Sequence, residues 1–213
     1  MRLVVAMTGA TGAVIGIRLL EALRHMEVET HLVMSQWARA TIALESDYTV
    51  REVTALATVN HGPKDQGASI SSGSFPTDGM VIVPCSMKTV AGVRTGFAQD
   101  LVGRAADVTL KEGRKLVMVA RETPLSTIHL ENLLALSRMG VTILPPTPAF
   151  YNHPKDLDDV VDHIVARALD QFGLRLPSAR RWSGMADERH GRAATPVESE
   201  GLYDALPADG DIA

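Results

Sequence analysis

Residues 3–7, 29–34, 80–83, 115–120 and 141–144 are short runs dominated by Val, Leu, Ile and Met, each stopped by a turn-forming cluster. Runs of this length with little polar alternation predict strands buried on both faces, as in a parallel sheet. Between them the apolar positions take a helical period. Val14, Ile17, Leu20 and Leu23 follow the first run, and Ala38 and Ile42 lead toward Leu44 and Glu45 after the second. Residues 97–104 read as helix after the third run, and 127–139 after the fourth, closed by Gly140. A stripe from Leu157 through Val160, Ile164 and Ala168 to Phe172 predicts a final helix over 156–172, with Arg167 on its edge. Strand and helix alternating five times predicts one doubly wound parallel α/β sheet flanked by helices, with right-handed crossovers.

Two stretches break the rhythm. Residues 56–78 are polar and rich in Gly and Ser, which predicts a long surface connection acting as a lid or as a contact with another subunit. From 183 to 213 the chain carries seven acids and two Arg, a balance of −5, so it reads as an acidic, flexible tail behind a domain spanning 1–182. The body is then close to neutral, with 19 basic and 18 acidic residues, which points away from nucleic acid and membrane surfaces. Cys85 is the single cysteine, so an internal disulfide and a cysteine zinc cluster are excluded; with no signal peptide or apolar span legible, the chain reads as cytoplasmic.

In doubly wound sheets ligands bind beyond the carboxyl ends of the strands. Each strand here ends in usable chemistry: Gly9, Ala10 and Thr11; Ser35; Ser86, Met87, Lys88 and Thr89; Arg121 and Glu122; and, a little further on, Tyr151. Hydroxyls, free amides and a Lys at a helix start form a cradle for an anion, although the same four residues also fit an ordinary capped turn. The turn after the first strand lacks Gly-x-Gly-x-x-Gly, and the second strand ends without a carboxylate, so a mononucleotide or another phosphate fits better than a dinucleotide.

The segments Thr8-Gly9-Ala10-Thr11-Gly12, Pro84-Cys85-Ser86-Met87-Lys88-Thr89, Arg121-Glu122-Thr123-Pro124-Leu125-Ser126 and Pro148-Ala149-Phe150-Tyr151, in that order, make residues 2–182 resemble the flavin prenyltransferases of the UbiX type. The resemblance implies a Rossmann- or flavodoxin-like fold and transfer of a dimethylallyl group from dimethylallyl monophosphate to N5 and C6 of reduced FMN. The product, prenylated FMN, would serve a partner UbiD-type decarboxylase, no metal would be needed, and the chain would form a homo-oligomer, a dodecamer in many relatives. Carried over by position, Gly9, Ala10, Thr11, Ser35, Ser86 to Thr89 and Arg121 would bind FMN. Tyr151 and Arg167, with Lys111 as a further cation, would hold the prenyl phosphate, and Trp182 would cover the allyl group. Glu122 would move protons, with Glu45 as a second candidate offered to a neighbouring subunit. Thr11 stands where the family often has Ser, which restricts the rotamer of that hydroxyl.

Taken singly, Arg167 and Lys111 also read as solvated surface charges, Glu122 as an ion pair with Arg121, and Cys85 as a small buried residue. Two other functions share the architecture. One is an FMN-dependent cysteine decarboxylase, whose motif carries Asn where this chain has Lys88; the other is a flavin carrier subunit without catalysis.

Overall fold

Six parallel strands form one sheet in a computed structural model that describes residues 1–177, 179–182 and 184. They are β1 (Arg2–Met7), β2 (Glu29–Met34), β3 (Val59–His61), β4 (Gly79–Cys85), β5 (Lys115–Ala120) and β6 (Thr142–Ile143), in the spatial order β3-β2-β1-β4-β5-β6. The chain divides into units Met1–Arg180 and Arg181–Ala213, and the sheet belongs to the first. The expected acidic tail, Gly184 apart, lies outside the described residues.

Alternation along the strands builds two cores. Leu3, Val5 and Met7 of β1 face α1 (Ala13–His25), α2 (Gln36–Glu45), α3 (Val50–Ala55) and α7 (Leu157–Asp170). Val4 and Ala6 face the opposite layer of α4 (Met87–Thr95), α5 (Leu101–Lys111) and α6 (Thr127–Arg138). Leu3, Leu20, Ile82 and Leu116 are at most 1% exposed, and full burial of such side chains contributes about 1.5–3 kcal/mol each. At Gly16 an added Cβ would lie 2.6 Å from the Val83 carbonyl, so the missing side chain lets α1 sit tight against the sheet.

Two of the boundaries that differ from the sequence reading, and one helix absent from it, have local reasons. β4 runs through Pro84 to Cys85: Ile82 stands opposite Met118 but Cys85 opposite Ala120, so one extra residue bulges out and re-aims the strand's tip. Helix α5 begins at Leu101, because the Asp100 carboxylate accepts from the Gly103 N–H at 2.9 Å and caps it there. Helix α3 went unread, although Thr49 and Glu52 form a reciprocal capping box.

The 56–78 connection is not a free lid. It contributes the edge strand β3 and buries Ala68 and Ile70 in the second core. Three arginines hold its carbonyls: Arg104 reaches Ser71 at 3.0 Å, Arg114 reaches Gly73 at 2.7 Å and Phe75 at 3.0 Å, and Arg2 reaches Pro76 at 2.9 Å. Guanidinium groups thus satisfy backbone acceptors that no sheet ladder uses.

Candidate functional site

β1 and β4 are neighbours at the point where strand order reverses, and their following helices leave to opposite faces. Thr8 stitches the two tips together. Its N–H and its hydroxyl both donate to the Pro84 carbonyl, at 3.1 and 3.0 Å, and the hydroxyl accepts from the Ser86 N–H at 2.8 Å. The outer strands join the same rim: Ser35 N–H donates to the Met7 carbonyl at 3.0 Å, and Arg121 N–H to the Cys85 carbonyl at 3.1 Å.

Three helices start at this rim, and their caps differ. Ser35 caps α2 by accepting from Ala38 N–H at 3.1 Å. Ser86 caps α4 by accepting from Thr89 N–H at 3.4 Å, and its hydroxyl lies 3.1 Å from that of Thr89. Both caps are neutral, so the positive ends of two helix dipoles keep their pull on an anion. Helix α1 is different. Gly12, at φ 106°, turns the chain into it, and the Gly12 and Ala13 N–H groups donate to Glu45 Oε2 at 2.8 and 2.9 Å. The carboxylate already fills the place where a dinucleotide fold holds its pyrophosphate. Within its own chain Glu45 is therefore turned inward as a helix cap.

Between these starts lies an open cleft of about 450 Å³, lined by Gly9, Ser35, Ser86, Lys88 and Thr89 among others. That size suits a small-ligand site, typically ~300–1,000 Å³. Ala10 and Thr11 follow Gly9 in the same turn, half-buried and exposed, and Met87 opens α4. Two exposed aromatics on the cleft wall were not singled out from the sequence. Trp37 is 72% exposed and packs so closely on Gly9 that an added Cβ there would meet its own Cβ at 2.3 Å; Phe97, 65% exposed, follows the left-handed cap Gly96. Trp37 was legible: two residues past a Ser cap, it had to stand at the rim.

The remaining expected residues lie further out. Arg121 and Glu122 are exposed beyond β5, with Glu122 accepting from Thr123 N–H at 3.0 Å. Tyr151 sits in the 3-10 turn Phe150–Asn152 past the edge strand β6, roughly 14 Å across the sheet from β1 by strand spacing. Arg167, on α7, pairs with Asp170 at 2.8 Å and lines a separate cavity of about 310 Å³ beside β6. Lys111 is not brought to the rim of its own chain. It ends α5, paired with Glu112, at the amino edge of the sheet; the six-residue strand β5 puts about 20 Å between that edge and Arg121. Trp182 falls in the second unit, and its side chain is exposed.

Burial pushes the Cys85 thiol well above its usual range, so at the rim it is packing and not a nucleophile. Among the described residues no group of three or more His, Cys, Asp or Glu is placed to hold a metal ion, and no helix is long and apolar enough to cross a membrane.

A parallel sheet whose order reverses beside a cleft flanked by two neutral helix caps defines an α/β protein for a phosphorylated ligand of nucleotide size. The family described as Flavoprotein matches residues 1–169. Flavin prenyltransferase UbiX of Escherichia coli strain K12 is 53% identical over 186 residues, covering 86% of this chain and 98% of its own length. The dodecameric FMN-dependent UbiX-like decarboxylase of E. coli O157:H7 superposes with a TM-score of 0.86 at 69% identity, over 86% of this chain and 100% of that one. AnUbiX, solved with FMN and dimethylallyl pyrophosphate, gives 0.85 at 56%, over 86% and 97%. The chain belongs to the UbiX-type flavin prenyltransferases within that flavoprotein family.

Proposed function

We propose that this chain joins a dimethylallyl group from dimethylallyl monophosphate to N5 and C6 of reduced FMN, yielding prenylated FMN for a UbiD-type decarboxylase. The observation that carries the reading is the cleft at β1 and β4 between two neutral helix caps, with a second cavity lined by Arg167 beside β6, in a chain of this family. The two places suit two phosphates.

The residues at hand fit a flavin phosphate. Ser35, Ser86 and the first-turn N–H groups of α4, with Lys88 and Thr89, hold it; Gly9 to Thr11 and Arg121 border the ring system. When bound, reduced FMN supplies the electron-rich atoms that take up the allyl group. Arg167 and the Tyr151 hydroxyl hold the departing phosphate, where fixed positive charge matters because a monophosphate leaves reluctantly. Glu122, exposed and joined to no cation in the ion pairs among the described residues, delivers or removes a proton there. Glu45 acts through the turn it caps, keeping Gly9 to Gly12 in place.

Lys111 can reach such a site only from another copy of the chain. Helix α6 buries Leu136 alone, while Ile128, Leu130, Leu134 and Met139 are 51–68% exposed, an apolar surface of the kind subunits cover. We therefore assign a homo-oligomer, a dodecamer as in the E. coli O157:H7 relative, and place it in the cytoplasm, where reduced flavin and phosphorylated prenyl donors are found.

Anaerobic mixing of protein, reduced FMN and dimethylallyl monophosphate tests the reading through the mass of the flavin. A gain of one prenyl unit is expected; unchanged flavin, bound but unmodified, would leave the chain a carrier. Arg167→Ala should lower transfer by about 100-fold or more while FMN still binds.

A further inference from the structure

We propose that His163 is a positioning residue that holds Tyr151 for capture of the prenyl phosphate beside the cavity that Arg167 lines. The proposal rests on the reading of those two residues given above.

Several bonds hold the turn that carries Tyr151. Its own backbone supplies two short bonds, Asn152 N–H to the Ala149 carbonyl at 3.1 Å and His153 N–H to the Phe150 carbonyl at 2.9 Å. Tyr151 is 50% exposed. Side chains from outside the turn hold it too. Arg180 donates to the Asn152 and His153 carbonyls at 3.3 and 3.4 Å. His163 does more, because it touches the side chains: the Asn152 amide donates to its Nδ1 at 2.8 Å, and its ring meets the Tyr151 ring edge to face, centroids 6.3 Å apart at 88°.

His163 stands on α7 one turn before Arg167, on the same helix face, and both line the cavity beside β6. One imidazole thus meets the phenol and lines the cavity onto which Arg167, paired with Asp170, also opens. A flexible Arg and an exposed Tyr each lose rotamer freedom on closing around a phosphate; a ring that already confines the phenol removes part of that cost before the ligand arrives.

The test is calorimetric titration of the FMN-loaded, full-length oligomer with dimethylallyl monophosphate. His163→Ala should weaken binding roughly 3- to 10-fold with FMN affinity unchanged. His163→Gln, which keeps an acceptor for Asn152, should recover part of the loss, and Asn152→Ala should reproduce it from the other side of the tether. In a double-mutant cycle Tyr151→Phe should cost less in the His163→Ala background than in wild type. Additive effects, an unchanged prenyl phosphate affinity, or a parallel loss of FMN binding would each overturn the proposal. Wild-type protein that binds FMN but no prenyl phosphate would instead overturn the functional reading, and this inference with it.

Discussion

Helices α1 and α4 start from adjacent strand tips, at the same rim, yet one begins under a carboxylate and the other under a hydroxyl. Glu45 Oε2 takes the Gly12 and Ala13 N–H groups, whereas Ser86 caps α4 without adding charge. The same contrast runs through the packing. At α1, Gly16 brings the helix against Val83 and Met7, and the helix serves as structure. At α4, Lys88, Thr89 and Gly92 open onto the cleft. Position in a doubly wound fold offers several helix N-termini to a phosphate, and what caps each one decides which is used.

The sharpest way to break this contrast is to make α4 resemble α1. Ser86→Asp keeps a good cap but places a like charge beside the proposed phosphate, so FMN affinity should fall by about 100-fold or more in equilibrium dialysis. Retained affinity in a folded variant would move the phosphate elsewhere. Next in size, Gly16→Ala should destabilise the fold by about 1–3 kcal/mol through overpacking against Val83, measured by urea denaturation, without a specific effect on bound FMN.

Glu45→Ala removes the α1 cap and should cost about 1–2 kcal/mol, lowering the melting temperature by a few degrees. FMN affinity should fall far less than in Ser86→Asp, since the flavin phosphate does not use that helix end and only the turn bordering the ring system loosens. Added sulfate should then stabilise the variant more than the wild type, because an anion can replace the missing carboxylate. Equal stabilisation of both would show that α1 is not an anion site even when uncapped.

The smallest effect concerns the other edge of the sheet. His31 Nδ1 lies 2.9 Å from His61 Nε2, His31 Nε2 faces Glu29 at 3.1 Å, Arg2 pairs with that carboxylate at 2.8 Å, and Asp65 acts on His61 from the following loop. Burial, and then the His31 charge, push His61 below its ordinary value of 6.5. A depressed folded value means the unfolded chain binds more protons as pH drops below about 6.5, so this contribution is present above that pH and lost on acidification through the folded value. Glu29, held low chiefly by its bond to Arg2, acts only below its ordinary 4.5. Thermal melts between pH 7 and 5 should therefore show a modest decline that His61→Gln flattens. An equal decline in the variant would assign it to other groups.

Much of this was legible in the sequence because it is local. The apolar runs, the Ser35 and Ser86 caps and the glycine after α6 are read within a few residues of one another. β3 was not, because two half-exposed residues flanking an exposed one in a polar stretch carry no clear periodicity and are held by pairing with β2. The capping role of Glu45 was hidden for a similar reason: its partners lie 33 and 32 residues away, and a carboxylate aimed at a helix start looks the same in sequence as one aimed at a substrate. Lys111 is a different lesson. In a βαβ unit the crossover helix runs back toward the amino edge, so its last residue belongs there, and the topology already inferred from the strands implied it.

A crystal structure of the protein with FMN bound tests the central claim most directly. The account predicts the flavin phosphate within hydrogen-bonding distance of the first-turn N–H groups of α4 and the hydroxyls of Ser86 and Thr89, with Glu45 still on Gly12 and Ala13. A phosphate seated on the Gly12 and Ala13 N–H groups, with Glu45 displaced, would contradict it.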